Sequence, residues 1–204
     1  MVNPTASKCA PHSMEALAKS AVDQAMARGA DAADARIVRC AEERLVIQND
    51  ALRESDAPED FGIALRVFKD GAAGFAAAPG PYSAMKDSVG GLVRRCLASA
   101  RDLAPLRRVP MRLAGRADGC GEYQTPVKED PFTVSLEEKL GLLMNASERL
   151  GGRREVVSRL AGMSLRREEQ WMVTSEGGST HQVLVRSGGR IEAVARARGV
   201  VERR

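Results

Sequence analysis

The sequence has few of the residues that catalytic centres use most. Aromatic residues make up 3% of its 204 residues, and the two histidines are His12 and His181. Because there are only two histidines and they are far apart in sequence, the chain has no His-Glu-x-x-His zinc helix, and it cannot form a histidine-rich metal site by itself. Because aromatics are scarce, we expect a core of Val, Leu, Ile, Ala and Met.

Long apolar runs and paired cysteines are also missing. No segment approaches the roughly 18 apolar residues of a membrane span, and residues 1–17 lack the apolar stretch of a secretory signal peptide. We therefore expect a cytoplasmic protein. The spacing of the four cysteines predicts isolated thiols rather than a disulfide framework. They are Cys9, Cys40, Cys96 and Cys120.

No nucleotide-binding or hydrolase motif occurs: there is no Walker loop, no Gly-x-Gly-x-x-Gly and no Gly-x-Ser-x-Gly. Three glycine-rich stretches could cradle an anion, but each is more typical of a hairpin turn. They are residues 71–74, 177–178 and 188–189. Two acid pairs suit solvated positions, the first at a helix N-terminus and the second in a loop. They are Glu137 with Glu138, and Glu59 with Asp60.

The histidines themselves are weak candidates. Cys9 and His12 could ligate a metal, but they precede the first expected helix in a terminal tail. His181 lies in a strand-like segment, where a partly exposed structural histidine is more common than a general base. The residues therefore predict no catalytic and no metal-binding residue in this chain, and they leave the substrate-binding residues unknown.

The positive charge is concentrated at the C-terminus. Residues 1–152 contain 20 Lys and Arg and 21 Asp and Glu, whereas residues 153–204 contain 11 Arg and 6 Glu. Nucleic-acid binding favours basic residues on one face or interleaved with stacking aromatics. Here the arginines alternate with acids along strand-like segments, so a solvated sheet face is the favoured interpretation and nucleic acid is an unlikely partner.

Hydrophobic periodicity predicts three helices. The first spans residues 14–28, with Ser13 as its cap and Gly29 in the left-handed position after it. The second spans about 84–100, capped by Ser83, and the third begins with a capping box formed by Ser135 and Glu138.

Alternating segments predict antiparallel meanders, with tight turns at Asn49-Asp50, Asp70-Gly71, 176–179 and 187–189. The expected strands are 35–40, 44–48, 51–55, 62–68, 74–78, 156–167, 170–175, 180–186 and 190–197. The fold class is therefore α+β, with antiparallel sheet meanders and helices packed on one face.

The order of elements predicts a domain organisation with a possible internal repeat of helix plus strands. Residues 1–13 are expected to be a disordered tail, and residues 101–134 an irregular spacer rich in Pro and Gly. The spacer separates a first helix-meander-helix unit, 14–100, from a second helix-meander unit, 135–204. Together these units would form one N-terminal domain.

Three stretches carry a family resemblance: residues 29–39, 62–77 and, above all, YQTPVKEDPFTVSLEEK at 123–139. In motif and in order they resemble the N-terminal domain of the TldD/PmbA family, on its TldD side. The resemblance implies a zinc metallopeptidase system in which a TldD-like subunit pairs with a PmbA-like subunit to cut and mature peptides. The family is also labelled a modulator of DNA gyrase.

In that family the zinc ligands come from a His-Glu-x-x-x-His helix and a later cysteine in the C-terminal half. No residue of this chain matches them, so the resemblance implies no cofactor here and no activity by the chain alone. We expect the non-catalytic, substrate-cleft or assembly part of a TldD-like peptidase, whose partners are a PmbA-like subunit or the missing C-terminal half. A freestanding interaction module that pairs with a PmbA-like partner and, less favoured, a DNA-associated regulator stay open.

Three residues that match the family motifs are expected to stabilise the sheet rather than contact substrate. Arg66 should lie on the outer face, Gly74 where backbone approaches closely, and Phe75 in the core. If a missing half completed the fold, the final strand at 190–197 would have an unprotected edge, to which an extended peptide can add.

Overall fold

The computed structural model describes residues 11–113 and 119–204. Within them the chain forms three α-helices, a short 3-10 helix at Ala104–Leu106 and eight strands of one sheet. The helices are α1 (Pro11–Ala27), α2 (Tyr82–Leu103) and α3 (Leu136–Leu150). The strands are β1 (Ala32–Gln48), β2 (Ala51–Asp56), β3 (Glu59–Lys69), β4 (Ala72–Pro79), β5 (Cys120–Gln124), β6 (Val156–Thr174), β7 (Ser179–Ala197) and β8 (Val200–Arg203).

The sheet has the strand order β4-β3-β1-β6-β7-β5, with β2 paired to β1 and β8 paired to β7. The pairs β1–β2, β3–β4 and β7–β8 are antiparallel, and β5 runs parallel to β7. The predicted α+β class with an antiparallel sheet is confirmed. The parallel β5 was not predicted, because it lies within the expected irregular spacer.

Two compact units divide the chain, and each is assembled from separate segments. Unit 1 contains the described residues up to Arg39 together with 60–124 and 169–183. Unit 2 contains 40–59, 125–168 and 184–204. No helix among the described residues is long and apolar enough to cross a membrane.

In unit 1, α1 and α2 bury their apolar faces against the sheet. Ile63, Leu65 and Val67 alternate along β3 and are at most 1% exposed, as a strand with one buried face requires. Helix α1 ends before Gly29, which takes the predicted left-handed conformation at φ 86°. Ser13 lies inside α1, because the helix begins at Pro11, and Pro81 rather than Ser83 precedes the first residue of α2. Both predicted N-caps are therefore wrong.

Strand β4 shows where helix and sheet come closest. A Cβ on Gly74 would lie 1.9 Å from the carbonyl oxygen of Cys96 in α2, so only glycine fits. The expected close backbone approach at Gly74 is confirmed. Phe75 points to the opposite face and is 64% exposed, so its expected place in the core is wrong. It lies opposite Arg66, whose side chain is 40% exposed on the same outer face, as predicted.

In unit 2, α3 covers a smaller core. Leu143 packs with Leu45, Ile47 and Ala161 from β1 and β6. The predicted capping box is present at the helix start, and Gly151 caps the C-terminus. Ser147 of α3 is fully buried and binds the hairpin between β1 and β2, where its Oγ accepts from the Asp50 N–H at 3.3 Å.

Three hairpins have a tight turn in which two successive residues adopt the left-handed backbone conformation. Asn49-Asp50 and Asp70-Gly71 have positive φ at both positions, so both predicted turns are confirmed. A third pair, Arg198-Gly199, leads into β8, which the sequence did not predict. The strand predicted at 190–197 is therefore not the last, because β8 covers its edge at Val194–Ala197.

Several predicted strands are continuous in the structure. The segments predicted at 35–40 and 44–48 both lie in β1, and the four segments between 156 and 197 form only β6 and β7. The turn predicted at 187–189 is wrong: Gly188 and Gly189 lie inside β7, and neither has a positive φ. Glycine permits a turn but does not require one, so the glycine pair alone was not enough to predict that the strand ends there.

Candidate functional site

His181, the one histidine whose side chain the structure describes, is held by two neighbours on β6. Its Nε2 lies 3.0 Å from Glu169 Oε1, and its ring stacks on Trp171 with centroids 5.0 Å apart. Trp171 is buried, so the stack fixes the imidazole against the core. These contacts give His181 a role in joining β6 to β7.

The other sequence candidates lie apart from one another. Cys9 is outside the described residues, and nothing is described of the His12 side chain. Residues 11–113 and 119–204 bring together no group of three His, Cys, Asp or Glu that could hold a metal. Glu138 belongs to the capping box, where hydrogen bonds from the Ser135 side chain and backbone hold its pKa below the ordinary value. Glu59 and Asp60 begin β3 rather than forming a loop.

Two of the family-like stretches meet in an ion pair of unit 1. Arg66 donates from Nε and Nη2 to Asp34 Oδ2, at 2.8 and 2.7 Å, and its guanidinium lies over the ring of Phe68. Beside the pair, the backbone N–H of Ala33 donates to Ser175 Oγ at 3.0 Å. The pair therefore joins β1 to β3. The opposite charges of Arg66 and Asp34 cancel each other on the outer face of the sheet.

The third family-like stretch is docked on β6. Asp130 forms an ion pair with Arg167 and accepts a hydrogen bond from the Phe132 N–H at 3.0 Å. Thr133 Oγ1 donates to the Asp130 carbonyl at 2.8 Å, and the Arg167 guanidinium lies 4.8 Å from the centre of the Phe132 ring. Charge, turn and cation–π contact together fix this segment before α3 begins.

An apolar groove lies between this docked segment, α3 and the sheet of unit 2. Its volume is about 760 Å³, which includes the space on the side that is open to solvent. Its apolar lining comes from the docked segment, α3 and β6 and consists of Pro131, Val134, Leu142, Met163 and Leu165. Gly188 and Gly189 of β7 also line it, and because they carry no side chains the groove stays open over that strand.

A buried charged side chain also lines this groove. Lys139, the last residue of the third family-like stretch, is 5% exposed, and its Nζ donates to Glu43 Oε2 at 2.6 Å. An ammonium group has three N–H donors, and this one gives one of them to Glu43. The groove therefore combines an aliphatic lining with a buried hydrogen-bond donor.

Sequence reasoning missed the groove because its residues come from three separate stretches of the chain, 131–142, 163–165 and 187–189. The available signal was the Gly188-Gly189 pair inside an otherwise strand-like segment, which often marks close approach of another backbone or a ligand. Lys139 gave no signal, because a lysine near a helix N-terminus is ordinarily solvated.

Six of the eleven arginines among residues 153–204 form ion pairs. Each of the following pairs joins an arginine of residues 153–204 to a carboxylate: Arg154–Glu155, Arg159–Asp50, Arg166–Glu42, Arg167–Asp130, Arg190–Glu192 and Arg203–Glu192. These pairs reduce the positive field available to a polyanion, and nucleic acid as an unlikely partner stays a prediction.

Comparison with known proteins places the fold. Residues 33–100 match the family model described as PmbA/TldA metallopeptidase domain 1. No curated protein matches the chain.

Solved structures share the fold over almost the whole chain. A proposed modulator of DNA gyrase from Thermotoga maritima is 14% identical over 93% of this chain and 41% of its own, with a TM-score of 0.72. A second proposed modulator of DNA gyrase, from Bacteroides thetaiotaomicron, is 16% identical over 90% of this chain and 41% of its own, with a TM-score of 0.70. TldE from Thermococcus kodakarensis is 18% identical over 93% of this chain and 40% of its own, with a TM-score of 0.64.

The chain spans about two fifths of the length of these solved structures. The family match covers β1 to α2, which includes the Asp34–Arg66 pair and the contact between Gly74 and Cys96. The resemblance predicted from the sequence is therefore confirmed: residues 33–100 are similar to the first domain of the PmbA/TldA metallopeptidases, and the solved structures share the fold.

Proposed function

We propose that this chain is the non-catalytic N-terminal part of a TldD-like zinc metallopeptidase of the cytoplasm, and that it holds peptide substrates which another part of the enzyme cleaves. The observation that carries the proposal is the match of residues 33–100 to the first domain of a metallopeptidase family. The apolar groove of unit 2 supports a peptide as the ligand, because aliphatic walls with a few polar donors suit peptide side chains and carbonyls.

Zinc does not fit the residues that the structure describes. No three potential ligands lie together among them, whereas a catalytic zinc site needs three protein ligands and an open position. No chemical step at zinc is therefore assigned to this chain. Its part is to bind and orient the peptide, and the resemblance implies that the metal belongs to the family's C-terminal half.

Reconstitution of peptide cleavage tests the proposal. The chain is assayed with zinc on a mixed peptide library, alone and together with a separately expressed TldD-like C-terminal half and a PmbA-like subunit. We expect cleavage in the full mixture, none by the chain alone, and none by the mixture that lacks the chain.

Cleavage by the chain alone would contradict the non-catalytic role. Equal cleavage with and without the chain would show that it is not a part of the enzyme. If no mixture cleaves peptides, the result would favour the alternative, a freestanding interaction module that pairs with a PmbA-like subunit.

A further inference from the structure

The edge of β7 beside the groove presents main-chain hydrogen-bonding groups. The N–H of Val185 donates to Thr125 Oγ1 at 3.2 Å, and Ala193 and Arg204 exchange two backbone hydrogen bonds at 2.9 and 3.0 Å. Thr125 and Arg204 therefore lie along one edge of β7, at positions 185 and 193.

Strand periodicity extends this edge between the two positions. Successive residues of a strand direct their backbone groups to alternate edges, so Ser187, Gly189 and Ile191 share the edge of Val185 and Ala193. The N–H of Arg196, an even-numbered residue, bonds Glu155 before β6, which agrees with this alternation. In the described part of the chain, β7 pairs with β5 at 179–183 and with β8 at 194–197, and neither strand reaches 186–191.

The six residues 186–191 are also exposed, in contrast to the half-buried residues close by on both sides. The segment includes Gly188 and Gly189, which leave the backbone uncovered. An extended chain is the ligand that matches such an edge, because it supplies main-chain donors and acceptors at the same spacing.

Gly189 connects the edge to the groove. On β6, Met163 and Leu165 line the groove, and a Cβ on Gly188 would instead approach Ser164, at 3.4 Å from its Oγ. Side chains alternate across a strand, so a side chain at position 189 would point to the groove and one at 188 to the opposite face. The residue of an added strand that lies opposite Gly189 would have space to pack over it.

We infer that an extended peptide of about six residues adds to the edge of β7 along 186–191 and places an aliphatic side chain over Gly189 in the groove. This inference rests on the proposed function, since it identifies where the peptide is held. The substrate class is then an extended segment with an aliphatic residue at one position and little sequence requirement elsewhere.

A matched pair of glycine variants tests the inference. Binding of a fluorescein-labelled, end-capped octapeptide that alternates leucine with threonine is measured by fluorescence anisotropy. Gly189→Val fills the groove, and we expect it to weaken binding at least tenfold, whereas Gly121→Val, at an exposed position of β5 opposite Thr180, is expected to change Kd less than twofold. A Cβ at 189 meets nothing closer than 3.9 Å, and one at 121 meets nothing within 4 Å, so both variants are expected to fold, which circular dichroism checks.

A second probe separates strand addition from simple hydrophobic contact. The same octapeptide with every second amide N-methylated keeps its side chains but loses donors to the strand edge, and we expect it to bind at least tenfold more weakly. Equal binding of the methylated peptide, unchanged binding to Gly189→Val, or no binding to the wild-type chain would each overturn the inference. Dimerisation that Gly189→Val abolishes, without peptide binding, would assign the edge to a second copy of the chain and overturn it as well.

The reconstituted cleavage assay distinguishes two cases: the inferred peptide site is wrong, or the proposed function itself is wrong. If the mixture cleaves peptides equally with wild-type chain and with Gly189→Val, the inferred site is wrong while the proposed function stands. If the mixture with the wild-type chain does not cleave at all, the proposed function fails whatever the anisotropy shows.

Discussion

The carbonyl oxygen of Cys96 occupies the position that a side chain on Gly74 would need, because a Cβ there would lie only 1.9 Å from it. We expect Gly74→Ala to destabilise the protein by about 3 kcal/mol or more, because β4 or α2 must shift as a whole to relieve a clash between the new methyl group and the helix backbone. Urea unfolding followed by circular dichroism measures the change in the free energy of unfolding.

Gly141→Ala is the matched control for that prediction. Gly141 lies within α3, and a Cβ there meets no heavy atom within 4 Å. Alanine is the better helix former, so this variant is expected to be more stable than wild type by about 0.5–1 kcal/mol. Similar stability of the two variants would show that α2 and β4 do not pack as closely as described.

Asp50 links three elements of unit 2 and gives stability a defined pH dependence. The hydrogen bond from Arg159, followed by that from Ser147, holds the pKa of Asp50 below its ordinary value of 3.8. A carboxylate whose pKa is lowered by folding stabilises the native state above its unfolded pKa, and loses that contribution as pH falls through the folded pKa. We therefore expect the urea midpoint to fall as the pH is lowered from about 5 to 3.

The variant Asp50→Asn isolates this effect. It is expected to be less stable than wild type at pH 7 and to show a weaker decline over the same pH range, since one titrating group has been removed. Glu138 and Glu192, whose pKa values are also lowered, keep part of the decline. A decline as steep as that of wild type would contradict the assignment to Asp50.

The thiols of Cys96 and Cys120 are predicted to differ widely in reactivity. Burial raises the pKa of Cys96 to about 11, and its Sγ lies 3.2 Å from the carbonyl oxygen of Leu65. The thiolate is the reactive form, so Cys96 should stay unmodified by a disulfide reagent at about pH 8 until the protein unfolds. Cys120 is exposed and should react at once.

Single-cysteine variants make this measurement unambiguous. A chain that keeps Cys96 and has serine at the other three cysteine positions should release no chromophore from Ellman's reagent until denaturant is added. The matching chain that keeps Cys120 should react fully in native buffer. Fast reaction at Cys96 would show that α2 opens readily from the sheet.

The buried pair of Lys139 and Glu43 should behave asymmetrically in a double-mutant cycle. Glu43→Leu removes the partner of an ammonium that is 5% exposed, and we expect a loss of about 3 kcal/mol because the charge stays buried without its counterion. The double variant Lys139→Met with Glu43→Leu should recover most of that loss. Destabilisation of the double variant equal to the sum of the single effects would indicate that the two residues do not interact.

Local chemistry predicted the parts of the fold that depend on neighbours in sequence. The capping box of Ser135 and Glu138 and the turn at Asn49-Asp50 need only residues a few positions apart, so their signals are complete in the sequence. Phe75 shows the limit of this reasoning. Alternation places Gly74 and Phe75 on opposite faces of β4, but the close approach of α2 decides which face is inside.

Features set by distant residues could not be predicted in this way. Lys139 is buried because Glu43, 96 positions earlier in the chain, neutralises it. The groove is formed only when the docked segment at 130–134, α3 and two strands come together. Strand β5 has no alternating apolar pattern, and all five of its residues are exposed, so its position beside β7 follows from pairing rather than from burial.

The exposed segment of β7 also bears on how the chain behaves in concentrated solution. A bare strand edge is a template for sheet growth, and positive side chains beside it are a common means of preventing such growth. Arg186 and Arg190 stand on either side of the two glycines, so copies that approach through this edge bring like charges together. Because that repulsion is screened by salt, high ionic strength should favour aggregation of the chain, and buffers of low ionic strength should keep it dispersed.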